Sequence, residues 1–320
     1  MIYHNIIKPK IVFFGTSVFA IPALTALVDE GYEVIVITAS DAPAGRKQML
    51  ASPPVKLTAE KLGLKILQPD NLKALGLLAY QLIGLSAPLG IVASYGKIIP
   101  KEIIELFPKG LLNIHPSLLP KYRGPSPIQY TLLNGESETG VTIIKIDEQV
   151  DHGPIVAQSE KRKTQNKNFK ELHDELAKLG AELLIKILPD YLAGKIIPRP
   201  QDDRQVTFSK KITKADGRVD WHRDARAIYN QFRAFNLWPG IYTIWHDKTL
   251  KILDCRLYEE QEYHAHEEQY IGQLWQENGH LFVPCQPGYL EILCLQLAGG
   301  KPLTANEFLN GYGKLIRSMV

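Results

Sequence analysis

The sequence predicts an α/β fold: a parallel sheet with helices on both faces, followed by a smaller domain of short strands. Three observations carry that expectation. Apolar runs of strand length alternate with helix-period segments through the first half of the chain. A polar, Pro-containing stretch at 194–211 then interrupts the pattern. Beyond it the chain becomes a series of short strands separated by turn residues, the texture of a small barrel. A chain of 320 residues exceeds one ordinary core and suits two domains. We expect a first domain over 1–193, a linker over 194–207 and a second domain over 208–320.

The elements follow in order. "KIVFFG" (10–15), "YEVIVITAS" (32–40), "LGIVASYG" (89–96) and "GLLNIHP" (110–116) are continuous apolar runs, the signature of strands buried on both faces. "FAIPALTALVDEG" (19–31) has apolar residues at helical spacing and stops at Gly31, and "SPPVKLTAEKLGL" (52–64) is a second helix opened by proline. "GVTIIKIDEQVDHGPIVAQ" (140–158) gives two strands around a loop holding Asp147, Asp151 and His152. A long amphipathic helix spans 167–187, with Leu172, Leu176, Leu179, Leu183 and Leu184 as its stripe. After the linker come a helix near 222–235, a Trp238-Pro239-Gly240 turn, and strands at 241–246, 249–257, 270–276, 280–284 and 289–296.

Composition narrows the function. With 45% hydrophobic and 22% charged residues and a formal charge of +3, the chain is a folded soluble protein without a strong global field. Three cysteines, none in a Cys-x-x-Cys pair, fit a reducing compartment and argue against a disulfide framework or a zinc site. The N-terminal stretch lacks a secretory h-region and no segment is apolar for long enough to span a bilayer, so the cytoplasm is expected. The turn after the first strand, "FFGTSVFA", has one glycine where a dinucleotide cradle needs three, so no nicotinamide cofactor is expected. Neither a Gly-x-Ser-x-Gly elbow nor a His-Glu-x-x-His metal motif occurs.

The chemistry concentrates at "LLNIHPSLLPKYRGPSPIQ" (111–129). Alternation puts Asn113 and His115 on one face of a strand, and the Pro- and Gly-rich tail ends that strand just beyond them. Ligands of such sheets bind beyond the carboxyl ends of the strands. An amide N–H suits a carbonyl oxygen that gains negative charge, a contribution of roughly 3–4 kcal/mol to the transition state. An imidazole carries a proton either way near neutrality. A carboxylate beside it would fix its tautomer, and Asp151 is the leading candidate, with His152 as an alternative base. Asn, His and Asp together suit acyl transfer to an amine.

These residues resemble the folate-dependent formyltransferases. The shared phrases are Asn113-Ile114-His115, "SLLPKYRGPSPIQ" (117–129), "GVTIIKIDEQVDHGPI" (140–155), "FFGTSVFA" (13–20) and "DAPAGRKQMLASPPVK" (41–56). "FSKKITKADGRVDW" (208–221), "IYNQFRAFNLWPG" (228–240) and "LEILCLQLAGGKPLTANEFLNG" (290–311) extend the likeness nearly end to end. The resemblance implies a Rossmann-like formyltransferase domain and an OB-like barrel, with Asn113, His115 and Asp151 catalytic. It also implies 10-formyltetrahydrofolate as formyl donor and co-substrate, with no tightly bound cofactor and no metal. "RGPSPIQ" and the Pro-Ala-Gly-Arg loop resemble the members whose acceptor is the α-amino group of methionine on charged initiator tRNA. The other reading of the family likeness is a small amine acceptor, such as a sugar nucleotide or glycinamide ribonucleotide.

The folate is expected near 91–96 and 146–153, with Tyr95, Ile146 and Ser117 at its site and Leu118, Leu119 and Pro120 offering apolar contact. By resemblance, Arg46 and Lys47 in the 40–54 loop approach the tRNA acceptor end, although "KQML" after Gly45-Arg46 is lysine-poor for the family. Between Lys210 and Arg256 ten Lys or Arg face five Asp, so one side of the second domain is cationic and suits phosphates, with Lys210 and Lys211 leading it. A monomer is expected.

Overall fold

The computed structural model describes residues 8–44, 49–70, 82–162, 164–258 and 270–318. They divide into two compact units, one drawn from 1–127, 138–162 and 173–209, the other from 128–137, 163–172 and 210–320.

The first unit is built on a seven-stranded sheet. Its strands are β1 (Ile11–Gly15), β2 (Val34–Ile37), β5 (Lys65–Leu67), β6 (Leu89–Ala93), β7 (Leu111–His115), β8 (Glu138–Lys145) and β9 (Ile155–Arg162). The short β3 (Ala42–Ala44) and β4 (Met49–Ala51) pair only with each other. The order across the large sheet is β5-β2-β1-β6-β7-β8-β9. Every residue of β1, β2 and β6 is buried, which is why they read as unbroken apolar runs. The chain winds from β1 to β2 and β5 on one side, then returns to place β6 and β7 on the other, so the switch point lies between β1 and β6. Their carboxyl ends are laced together: Thr16 N–H donates to Ser94 O (3.2 Å), and the Thr16 hydroxyl donates to Tyr95 O (2.9 Å).

Three expectations need correction. The sheet is mixed, because β8 is antiparallel to both β7 and β9. Residues 146–154 are too few for the crossover that a parallel β8–β9 pair requires. The stretch 40–54 is not wholly loop, since β3 and β4 form an antiparallel pair with Ala42 opposite Ala51. The long helix runs Phe169–Leu192, through Pro189. Its last turn is held by tertiary contacts, with Leu188 and Tyr191 buried and the Tyr191 hydroxyl on Lys109 O at 2.7 Å.

The second unit carries an antiparallel sheet with strands β10 (Ile241–Trp245), β11 (Lys248–Tyr258), β12 (Trp275–Glu277), β13 (His280–Pro284), β14 (Tyr289–Leu297), β15 (Leu303–Thr304) and β16 (Arg317–Ser318). Its order is β10-β11-β14-β13-β12-β16, β15 pairs with β14, and β16 alone is parallel to its neighbour. The helix Ala225–Ala234 starts at Asp224, whose carboxylate accepts from Arg226 N–H at 2.6 Å. Of the ten basic residues expected on a cationic face, Arg233 is not on the surface. It is buried, and its guanidinium donates to Thr164 O (2.9 Å) and Lys167 O (2.8 Å) inside this unit. No helix of the described residues is long and apolar enough to cross a membrane.

Candidate active site

Strand β7 delivers two side chains by its pleat. Ile114 points toward the long helix, where Gly180 leaves room: a Cβ there would lie 2.6 Å from Ile114 Cγ2. Asn113 and His115 therefore face the other side of the sheet. His115 is 4% exposed and Asn113 half-buried.

The third group arrives from the β8–β9 connection. Asp151 sits at φ +50°, a left-handed conformation that Asp tolerates better than most residues. Its loop is closed by Gly153, where a Cβ would lie 1.8 Å from Lys145 O, so only glycine fits. The Asp151 carboxylate accepts from Gly124 N–H at 2.8 Å through Oδ2. Its Oδ1 accepts from Asn113 Nδ2 at 3.3 Å and stands 3.6 Å from His115 Nδ1. The last distance is a charge contact rather than a hydrogen bond.

The ring's tautomer follows from its far side. His115 Nε2 lies 3.0 Å from Tyr122 O, and a carbonyl only accepts, so Nε2 carries a proton. In a neutral ring Nδ1 then turns a lone pair toward the Asp151 carboxylate. A proton reaching Nδ1 converts that acceptor–acceptor contact into an ion pair. The arrangement can thus receive one proton at one defined atom. Asn113 Nδ2 has a second N–H, which makes no bond among the described residues and can serve an oxygen gaining charge.

The loop after β7 is pinned from below. Thr142, opposite His115 in the β7–β8 register, donates to Ser117 O (2.6 Å) and accepts from Leu119 N–H (3.0 Å). Gln158 on β9 donates to Leu119 O at 2.7 Å. Neither residue was expected at the site. Their only sequence signal is the alternation of β8 and β9, which puts each on the same face as the loop.

The other expected residues divide. Ser117 is fully buried and its hydroxyl donates to Lys121 O at 2.6 Å, closing the turn. Leu119 packs with Ile144 and Ile155, while Leu118 and Pro120 are half-buried. Tyr95 lies in the core with Phe14, Val92 and Phe107, and Ile146 packs on the edge of that cluster. Burial pushes the Tyr95 hydroxyl up to about 12, and among the described residues that hydroxyl has no hydrogen-bond partner. His152 is bonded to Asp147 at 2.6 Å and does not join the other three. Lys210 and Lys211 are exposed, whereas Arg46 and Lys47 lie outside the described residues. At the base of their loop Asp41 accepts from Lys56 (2.7 Å), Gln68 (2.9 Å) and Ser52 (3.0 Å). The Lys56 and Gln68 bonds, with Ser52 adding less, hold its carboxyl down at about 2. Among the described residues no cluster of His, Cys, Asp and Glu is arranged to hold a metal.

An α/β sheet with an amide, an imidazole and a carboxylate gathered at its strand ends defines a group-transfer enzyme, and comparison supplies the group. Residues 9–188 match the formyl transferase family and residues 211–313 its C-terminal domain, so the chain belongs to the formyl transferases. It is similar to the methionyl-tRNA formyltransferase of Chloroflexus aurantiacus, with 39% identity over 303 residues, 94% of this chain and 96% of that one. The methionyl-tRNA formyltransferase of Listeria monocytogenes is also 39% identical, over 95% of this chain and 96% of its own. Among solved structures, the N-formyltransferase of Helicobacter canadensis in complex with folinic acid and dTDP-3-aminofucose shares the fold, with TM-score 0.67 at 20% identity over 89% of this chain and 98% of that one. The family expected from the sequence is the family matched.

Proposed function

We propose that this chain transfers the formyl group of 10-formyltetrahydrofolate to the α-amino group of methionine carried by initiator tRNA. The observation that carries the reading is the convergence of Asn113, His115 and Asp151 at one strand end. The name borne by near full-length relatives supports the acceptor.

The steps balance on these three groups. The amine nitrogen attacks the formyl carbon, and the carbonyl oxygen gains charge that the free N–H of Asn113 stabilises. The amine proton passes to His115 Nδ1, directly or through water, and the imidazolium is held by Asp151. Collapse breaks the bond between the formyl carbon and N10, and the proton leaves Nδ1 for N10 of the folate. A positioned base is worth about 10²–10⁴ in rate.

The folate's pterin lies near 91–96 and 146–153, with Tyr95, Ile146, Ser117, Leu118, Leu119 and Pro120 shaping its surroundings. The Tyr95 hydroxyl, without a partner among the described residues, supports a polar contact there. Residues 1–193 carry the catalytic groups, 194–207 lead from them into the second domain, and 208–320 form the tRNA-binding domain. Arg46 and Lys47 meet the acceptor end, and exposed Lys210 and Lys211 meet phosphates. The protein works in the cytoplasm as a monomer, with folate as co-substrate and no resident cofactor. The test is transfer of labelled formyl from 10-formyltetrahydrofolate to charged initiator tRNA. Formate release without acceptor, or transfer only to a small amine, would reject the reading.

A further inference from the structure

From Arg199 on, the segment expected as a linker is bonded at several points to the loops that hold the site. Arg199 pairs with Ile155 through two backbone bonds, of 2.7 and 2.8 Å. The Gln201 amide then donates to two carbonyls of the catalytic loop, Asp151 O at 2.8 Å and Gly153 O at 2.9 Å. Its Oε1 accepts from Arg123 Nε at 3.0 Å, and Arg123 also donates to Asp203 at 2.9 Å. Arg123 is 5% exposed, in the loop that follows His115. Further along, Thr207 accepts from Tyr122 N–H through its hydroxyl (2.9 Å) and from Arg123 N–H through its carbonyl (2.9 Å). Ser209 N–H donates to Arg123 O at 2.7 Å.

These bonds reach both halves of the reacting pair. The Tyr122 carbonyl holds His115 Nε2, and Tyr122 is itself anchored on Thr207. Asp151 takes a left-handed backbone conformation, and its carbonyl is anchored on Gln201. One strap therefore sets the ring and the carboxylate relative to each other.

We propose that residues 199–209 are a catalytic strap, in which Gln201, oriented by buried Arg123, is a positioning residue that holds the Asp151 loop in register with His115. The proposal rests on the reading of Asn113, His115 and Asp151 as the formyl-transfer site. Gln201 acts through the Asp151 loop, to whose carbonyls its amide is committed. Its amide fixes where Asp151 Oδ1 lies, and displacements of about 1 Å at such a site cost on the order of 100-fold in rate.

Gln201→Glu isolates the role. The carboxylate still accepts from Arg123, and more strongly, but it no longer donates to the two loop carbonyls. A residue that only filled space would tolerate this isosteric change. We expect kcat for formyl transfer to fall roughly 10–100-fold with KM for folate and tRNA within about twofold. Independently of activity, hydrogen exchange at the Gly124 amide, which Asp151 Oδ2 protects, is expected to speed up at least about tenfold in the full-length chain. Gln201→Ala should act alike and serves if the Glu variant does not fold. Lys195→Ala, just before the strap, exposed and bonded to Asp190 at 3.0 Å, should leave both readouts alone. Unchanged Gly124 exchange in folded Gln201→Glu, or faster exchange with kcat intact, would overturn the proposal. A wild type that transfers no formyl, with Gly124 exchange still faster in the variant, would instead sink the function while leaving the strap standing.

Discussion

Asp151→Asn probes the site with the smallest change of shape. In the wild type one oxygen takes the Gly124 N–H at 2.8 Å, and the other faces Asn113 Nδ2 at 3.3 Å and His115 Nδ1 at 3.6 Å. The Gly124 bond is the shorter and fixes which side of the new amide keeps its oxygen. The amide NH2 must then point at Asn113 and His115. Against Asn113 it sets donor against donor. Toward His115 it turns an N–H to the Nδ1 lone pair, and a small closing shift from 3.6 Å lets it bond there and lock the ring neutral, because Nε2–H is already committed to Tyr122 O. The atom that should receive the amine proton is occupied and its counter-charge is gone. The loss is that of a positioned base, about 10²–10⁴ in kcat, or about 3–5 kcal/mol of barrier. Folding changes far less, by about 1 kcal/mol, since the Gly124 bond survives. Single-turnover transfer to charged tRNA gives the first number and thermal unfolding the second. A kcat within about threefold of wild type, with folding intact, would refute the assignment of Nδ1 and Asp151.

Other perturbations test the supports. Asp41, held at about 2, is depressed below its ordinary value near 3.8, so its bonds stabilise the fold fully above about pH 4 and are lost as pH falls toward about 2. The melting-temperature deficit of Asp41→Asn should therefore shrink across that window, and a constant deficit would contradict it. Because Asp41 joins Ser52 and Lys56 below the β3–β4 pair, the same variant should raise KM for tRNA more than for folate. Gly180→Ala puts a methyl 2.6 Å from Cγ2 of Ile114, the residue between Asn113 and His115 on β7. Overpacking of about 1–3 kcal/mol should outweigh the gain of about 1 kcal/mol in helix propensity, lowering both stability and kcat; a stabilised, fully active variant would contradict this. Arg233→Met strands the carbonyls of Thr164 and Lys167 and should cost about 3 kcal/mol in thermal or denaturant unfolding, against near zero if Arg233 were a surface cation.

How much of this was legible beforehand depended on the range of each interaction. Asn113 and His115 were readable because their relation is the two-residue pleat of a single strand. The buried strands were readable because both their faces are apolar. Asp151 needed chemistry and family likeness, since the sequence does not say that the loop folds back 38 residues to Asn113. Gln201 was invisible: its partner Asp151 is 50 residues away, and a glutamine in a polar, Pro-containing stretch looks like solvent-facing linker. Thr142 and Gln158 were hidden for the same reason, as ordinary polar residues on alternating strands. The extension of the long helix past Pro189 depended on burial of Leu188 and Tyr191, a tertiary effect that overrode the local stop signal. Arg233 was miscounted as surface charge because charge counting ignores which face of a helix is covered.

The decisive measurement offers one enzyme preparation two acceptors in competition, charged initiator tRNA and a nucleotide-linked amino sugar, with radiolabelled 10-formyltetrahydrofolate as the only donor. Label should enter the methionyl ester alone, and His115→Ala should abolish its entry while leaving tRNA binding in place. Label accumulating on the sugar amine, or as free formate with the tRNA untouched, would contradict the account.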